Sequence, residues 1–111
     1  SLHDALPILV CRPVIAGQEL YAGVCWSKTP EINKLPQNPS GFTVVLSAEN
    51  KVISAPGGSE PVYTDGKLQP MHQTQNVFKH CHDLYVDTLG DIYVGEWNAD
   101  RRYPSKLSLV K

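Results

Sequence analysis

The chain has 111 residues and a formal net charge of −1, with 10 basic and 11 acidic side chains. That length suits one small domain with a modest core, and the balanced charge supplies no electrostatic reason for a nucleic-acid or strongly acidic partner. No apolar run is long enough to span a bilayer and no basic-then-apolar leader opens the chain, while the 9 prolines and 8 glycines spread along it suit an all-β protein with many turns.

Residues 1–8, Ser1-Leu2-His3-Asp4-Ala5-Leu6-Pro7-Ile8, match the in-frame translation of a sequencing-library adapter and are set apart from the fold. They imply a metagenomic gene read from a fragment whose upstream part, and any leader in it, is lost. From Leu9 to Ile15 the chain reads as an extended run, Ala16 to Glu19 as a turn, and Leu20 to Ser27 as a second strand. Lys28 to Ser40 carries Pro30, Pro36 and Pro39 and reads as a loop, because proline fixes φ and removes a ladder donor. Gly41–Ser47 and Lys51–Ser54 flank Ala48-Glu49-Asn50 and form a further hairpin, so residues 9–54 hold four strands.

Residues 55–78 are polar and broken by Pro56-Gly57-Gly58, Pro61, Asp65-Gly66 and Pro70, with room for no more than a strand fragment around Pro61-Val62-Tyr63. A stretch this long is expected to be an ordered rim loop, anchored by Val62, Tyr63, Leu68, Met71, Val77 and Phe78. Residues 79–111 then hold three strands. Leu84 and Val86 share one face of the first, Ile92 and Val94 one face of the second, and Thr88 to Asp91 reverse the chain between them. The third strand lies in the alternating tail after Pro104. Leu20-Tyr21-Ala22-Gly23 resembles Ile92-Tyr93-Val94-Gly95, a weak internal repeat of the kind that marks stacked units.

The chemistry-bearing residues are few. Cys11, Cys25 and Cys81 are an odd number without Cys-x-x-Cys spacing; at most one bridge can form, and small buried hydrophobes is the plainer reading. An extended approach to the first strand of the last sheet puts His80 and His82 on one face, favourable for chelation, with Cys81 pointing away. The competing reading is that His82 and Asp83 bind the strand's own backbone. His72 reads as a solvated loop residue, Asp87, Asp91 and Asp100 as turn residues, and Trp26 and Trp97 as packing between sheets.

His82-Asp83 followed by Asp87-Thr88-Leu89-Gly90-Asp91-Ile92-Tyr93-Val94, and the tail from Trp97-Asn98 through Tyr103-Pro104 to Leu107, resemble the NHL-type repeat of six-bladed β-propellers. Within that class the likeness is to bacterial extracytoplasmic proteins similar to the peptidyl-hydroxyglycine amidating lyase. The resemblance implies an all-β fold, a partial propeller of about two blades: 9–54 one blade of four strands, 55–78 a rim loop, and 79–111 the last blade, whose fourth strand would come from the lost upstream part. It implies a periplasmic or secreted location. It also implies a binding or scaffolding module with a ligand or protein at the propeller face, no nucleic acid and no membrane span. The alternative it raises is a metal-dependent lyase in which zinc or another divalent ion is held by three histidines. His82 matches one of them, His80 is an auxiliary contact, and the rest of the site falls in blades this chain lacks, so no catalytic residue is assigned. A three-histidine site with an open position suits polarising an oxygen or activating water.

Overall fold

The computed structural model describes residues 9–26, 41–75, 78, 80–96 and 104–109. The expected adapter-like start at 1–8, the proline-rich loop through 28–40 and the Trp97 to Tyr103 turn lie outside the described residues. The fold is all-β, and no helix occurs among the described residues.

The first sheet is built from β1 (Leu9–Val10), β2 (Val14–Ala16), β3 (Glu19–Trp26), β4 (Phe42–Leu46) and β5 (Val52–Ser54). β1 and β2 both pair antiparallel with β3, β3 pairs with β4, and β4 with β5. The run read from the sequence as one strand from Leu9 is therefore two short pieces on one side of β3. Pro13 explains the break, since it has no amide hydrogen to give the ladder. Cys11 still donates its amide to the Gly23 carbonyl at 2.9 Å, so the two pieces continue one edge. With β1 and β2 counted as that edge, the sheet is a four-rung antiparallel meander.

β4 is buried along its whole length, on both faces. Phe42, Val44 and Leu46 join Ala22, Val24, Val52 and Met71 in one apolar cluster, with Leu20, Ala55 and Leu68 around it. Alternation sends Thr43 and Val45 to the opposite face, where they are buried too. Each fully buried large apolar side chain here contributes on the order of 2 kcal/mol relative to exposure.

Met71 and Leu68 reach the cluster from the excursion after β5. That segment is more ordered than a loop: β6 (Tyr63–Thr64) and β7 (Lys67–Leu68) pair across Asp65-Gly66, both with positive φ, at 51° and 78°. Asp-Gly at such a reversal is the combination a two-residue hairpin turn demands. The ribbon extends outward from it through Gln69 N–H to Val62 O at 2.8 Å, Ser59 N–H to His72 O at 2.8 Å and Thr74 N–H to Gly57 O at 3.0 Å. Val52, on β5, donates its amide to the Tyr63 hydroxyl at 2.7 Å, which ties the ribbon to the sheet.

The second sheet has the order β10-β9-β8, with β8 (Cys81–Val86), β9 (Ile92–Glu96) and β10 (Ser105–Leu107) all antiparallel. Phe78, Cys81, Leu84, Ile92 and Val94 form its buried cluster, and Val14 and Tyr21 of the first sheet pack against it. The two sheets meet chiefly where β3 lies on β8. Gly23 makes this approach possible: a Cβ there would stand 3.0 Å from the Cys81 Cβ and 3.2 Å from its carbonyl carbon and oxygen.

Both sheets use the same reversal. In Ser47–Lys51 and in Asp87–Asp91 the first residue donates its amide to the carbonyl of the fifth, at 2.8 and 3.0 Å. The fourth residue donates to the carbonyl of the first, at 2.9 and 3.1 Å. That fourth residue, Asn50 or Gly90, has positive φ of 63° and 88°. The first side chain supplies the acceptor that fastens the turn: Ser47 Oγ takes the amides of Glu49 and Lys51, and Asp87 Oδ1 takes those of Leu89 and Asp91.

Candidate functional site

The sequence points to the start of β8, where His80, Cys81, His82 and Asp83 follow one another. An uninterrupted extended strand would place His80 and His82 together. A bulge prevents this: Cys81 pairs with Glu96 and Asp83 with Gly95, so His82 is the extra residue between them. His80 and Cys81 are both fully buried, whereas His82 is exposed and Asp83 half-buried. The backbone amide of His80 donates to Glu96 Oε1 at 3.2 Å. Asp83 Oδ1 accepts the amide of Leu84 at 2.8 Å, and its Oδ2 lies 3.5 Å from the Arg12 guanidinium across the junction of the two sheets. With the Arg12 side chain 76 % and the Asp83 side chain 45 % exposed, the pair is worth little in stability.

Among the described residues, no group of three or more histidine, cysteine, aspartate or glutamate side chains has the geometry to hold a metal ion. One outward imidazole at His82 and one enclosed at His80 do not make a donor set by themselves.

Spacing along the chain carries no sign of the grouping formed by the cysteines. Cys11 sits opposite Gly23, Cys25 follows two residues further along β3, and Cys81 rests on Gly23 from the other sheet. All three are free thiols. Burial first, then the neighbouring Cys11, pushes the Cys25 thiol up to about 12. Burial likewise pushes the Cys81 thiol well up, with Glu96, Cys25 and Cys11 adding to the shift. The signal that could have located this cluster is the glycine between them in space, and it is visible only once β3 is set against β1 and β8.

At the far end of β8 the Asp87 carboxylate is a turn fastener. Its Oδ2 accepts the Tyr93 hydroxyl at 3.1 Å. Burial works against its charge, but the amides of Asp91 and Leu89, the Tyr93 hydroxyl and nearby Lys106 together outweigh it and hold the carboxyl below its ordinary value. Asp91 Oδ1 accepts the amide of Leu109 at 2.7 Å and its Oδ2 lies 3.5 Å from Lys106 Nζ, which ties the tail to the turn. His72 is exposed and its amide donates to Ser59 Oγ at 3.1 Å. Asp100 and Trp97 lie outside the described residues, as does the side chain of Trp26.

No known family profile matches the chain, no curated protein is significantly similar to it, and no solved structure matches it. The surface offers open grooves. One of about 380 Å³ runs between the reversals at 16–19 and 47–49, at the same end of the first sheet. Another, of about 360 Å³, lies where the root of the ribbon, Ala55 to Gly58, faces Phe78 and Leu107.

Proposed function

We propose that the chain is part of an NHL-type β-propeller that acts as a binding or scaffolding module, its two meanders being neighbouring blades. The observation that carries this reading is the repeat of design: two antiparallel meanders in succession, the same five-residue reversal in each, and face-to-face packing of β3 on β8. Stacked units of one supersecondary type are what repeat architectures are made from. The reversals at 16–19 and 47–49 lie together at one end of the first sheet, and the groove between them is a recess suited to a ligand or protein segment. The location that goes with the resemblance is extracytoplasmic.

The lyase alternative draws on His82 alone. Its exposure leaves the imidazole available to donors from elsewhere in a longer protein, and neutral imidazole is a good zinc ligand. The described residues do not complete such a site. The two readings separate on one experiment: metal content of the protein from its full reading frame, with and without His82→Ala. A scaffold gives the same metal content in both. Loss of stoichiometric bound metal in the variant would favour the metalloenzyme instead.

A further inference from the structure

The three thiols converge without any role in the propeller reading, and two of them stand out by geometry. β1 and β3 slip register between Leu9 and Val10: Leu9 faces Trp26 and Val10 faces Val24, which leaves Cys25 as the unpaired extra residue of a bulge. Bulges re-aim side chains. Here the turned residue lies diagonal to Cys11, whose amide donates to the Gly23 carbonyl. Cys11 is half-exposed on an edge of the sheet, while Cys25 is buried behind it. Cys81 differs from both, being wholly enclosed with Phe78, Leu84 and Val94.

We infer that Cys11 and Cys25 are a thiol-modification site that takes low-molecular-weight disulfides and closes to an intramolecular cross-strand disulfide, with Cys81 left as a thiol. The chemistry balances in two exchanges. The Cys11 thiolate attacks one sulfur of the external disulfide, forming a mixed disulfide and releasing one small thiol. The Cys25 thiolate then attacks the Cys11 sulfur, closing the bridge and releasing the second small thiol. Two protein thiols are oxidised by two electrons, the external disulfide is reduced by two, and the protons pass to the departing thiolates. Access fixes the order, since the reagent reaches Cys11 first. Closure speeds as pH rises, because only the thiolate attacks and burial holds the Cys25 thiol above its ordinary value.

The test is to incubate the chain with oxidised glutathione, quench in acid, digest with trypsin and weigh the peptides. Arg12 precedes Pro13, where trypsin does not cut, so Cys11 and Cys25 remain in one peptide ending at Lys28. The expected product is that peptide short of two hydrogens, with the Cys81 peptide recovered as thiol. Cys25→Ser is expected to stop at the Cys11–glutathione mixed disulfide, and Cys81→Ser to close within about twofold of the parent rate. Closure is expected to accelerate about tenfold per pH unit from neutral into mildly alkaline solution. A bridge that includes Cys81, a stable mixed disulfide on Cys11 in the parent chain, scrambled pairing, or three thiols that stay reduced would each overturn the assignment.

Discussion

Replacing Gly23 by alanine tests the junction on which the arrangement of the two sheets depends. The added Cβ would meet the Cys81 Cβ at 3.0 Å and the Cys81 carbonyl carbon and oxygen at 3.2 Å. Carbon atoms in favourable contact sit roughly 3.5–4.0 Å apart. None of these Cys81 atoms can rotate away, because β8 is held to β9 along its length. The sheets must therefore separate by about half an ångström. Overpacking of this kind costs roughly 1–3 kcal/mol, while the stiffer unfolded chain returns about 0.4–1 kcal/mol. The net expectation is a loss of about 1–2 kcal/mol.

Gly95→Ala is the matched control. Gly95 follows Ile92-Tyr93-Val94 as Gly23 follows Leu20-Tyr21-Ala22, yet its added Cβ meets nothing nearer than the Asp83 carbonyl oxygen at 3.9 Å. It should be neutral or stabilising by about 0.5 kcal/mol. Urea unfolding followed by tryptophan fluorescence measures both, and alkylation of Cys81 under native conditions reports opening of the junction. Each 1.4 kcal/mol lost speeds that alkylation about tenfold where opening is in pre-equilibrium. Equal midpoints for the two variants, or a larger loss for Gly95→Ala, would refute the close approach of β3 and β8.

Phe42→Ala, at a fully buried site, should cost about 3–5 kcal/mol, measured by the same unfolding assay. Tyr63→Phe removes the acceptor of the Val52 amide and should cost about 1 kcal/mol, with faster proteolysis between 57 and 75 as the specific sign. Gly66→Ala, at φ 78°, should loosen the same ribbon by roughly 1 kcal/mol. Asp87 has its carboxyl held below the ordinary value of 3.8, so its contribution is complete above that value and lost as pH falls through the lower folded one. Asp87→Asn should accordingly be less stable than the parent near neutrality, and the gap should narrow in acid; an unchanged gap would count against the charge-assisted turn.

The parts of the fold that were legible are those written in local pattern. Alternation at Leu84 and Val86 and at Ile92 and Val94 marks a hairpin, and a polar residue followed by Asn or Gly at the αL position marks each five-residue reversal. Asp65-Gly66 is equally a mark of a two-residue hairpin turn, but the prolines around it suit a loop as well. What local pattern could not supply is the bulge. His80 to Asp83 reads as simple alternation, and only pairing with Gly95 and Glu96 shows His82 as the extra residue that separates the two histidines. The thiol cluster was hidden for a related reason: Cys11, Cys25 and Cys81 are far apart in sequence, and a missing side chain at Gly23 is what lets β8 come close.

The most direct measurement on the central claim is a crystal structure of the longer protein that the propeller reading calls for, read for the position of β8 and of the edge formed by β1 and β2. The account predicts a ring in which both lie innermost in adjacent blades, lining a common tunnel, with β3 packed on β8. A closed two-layer sandwich, with β8 at an outer edge and no further blades beside it, would contradict it.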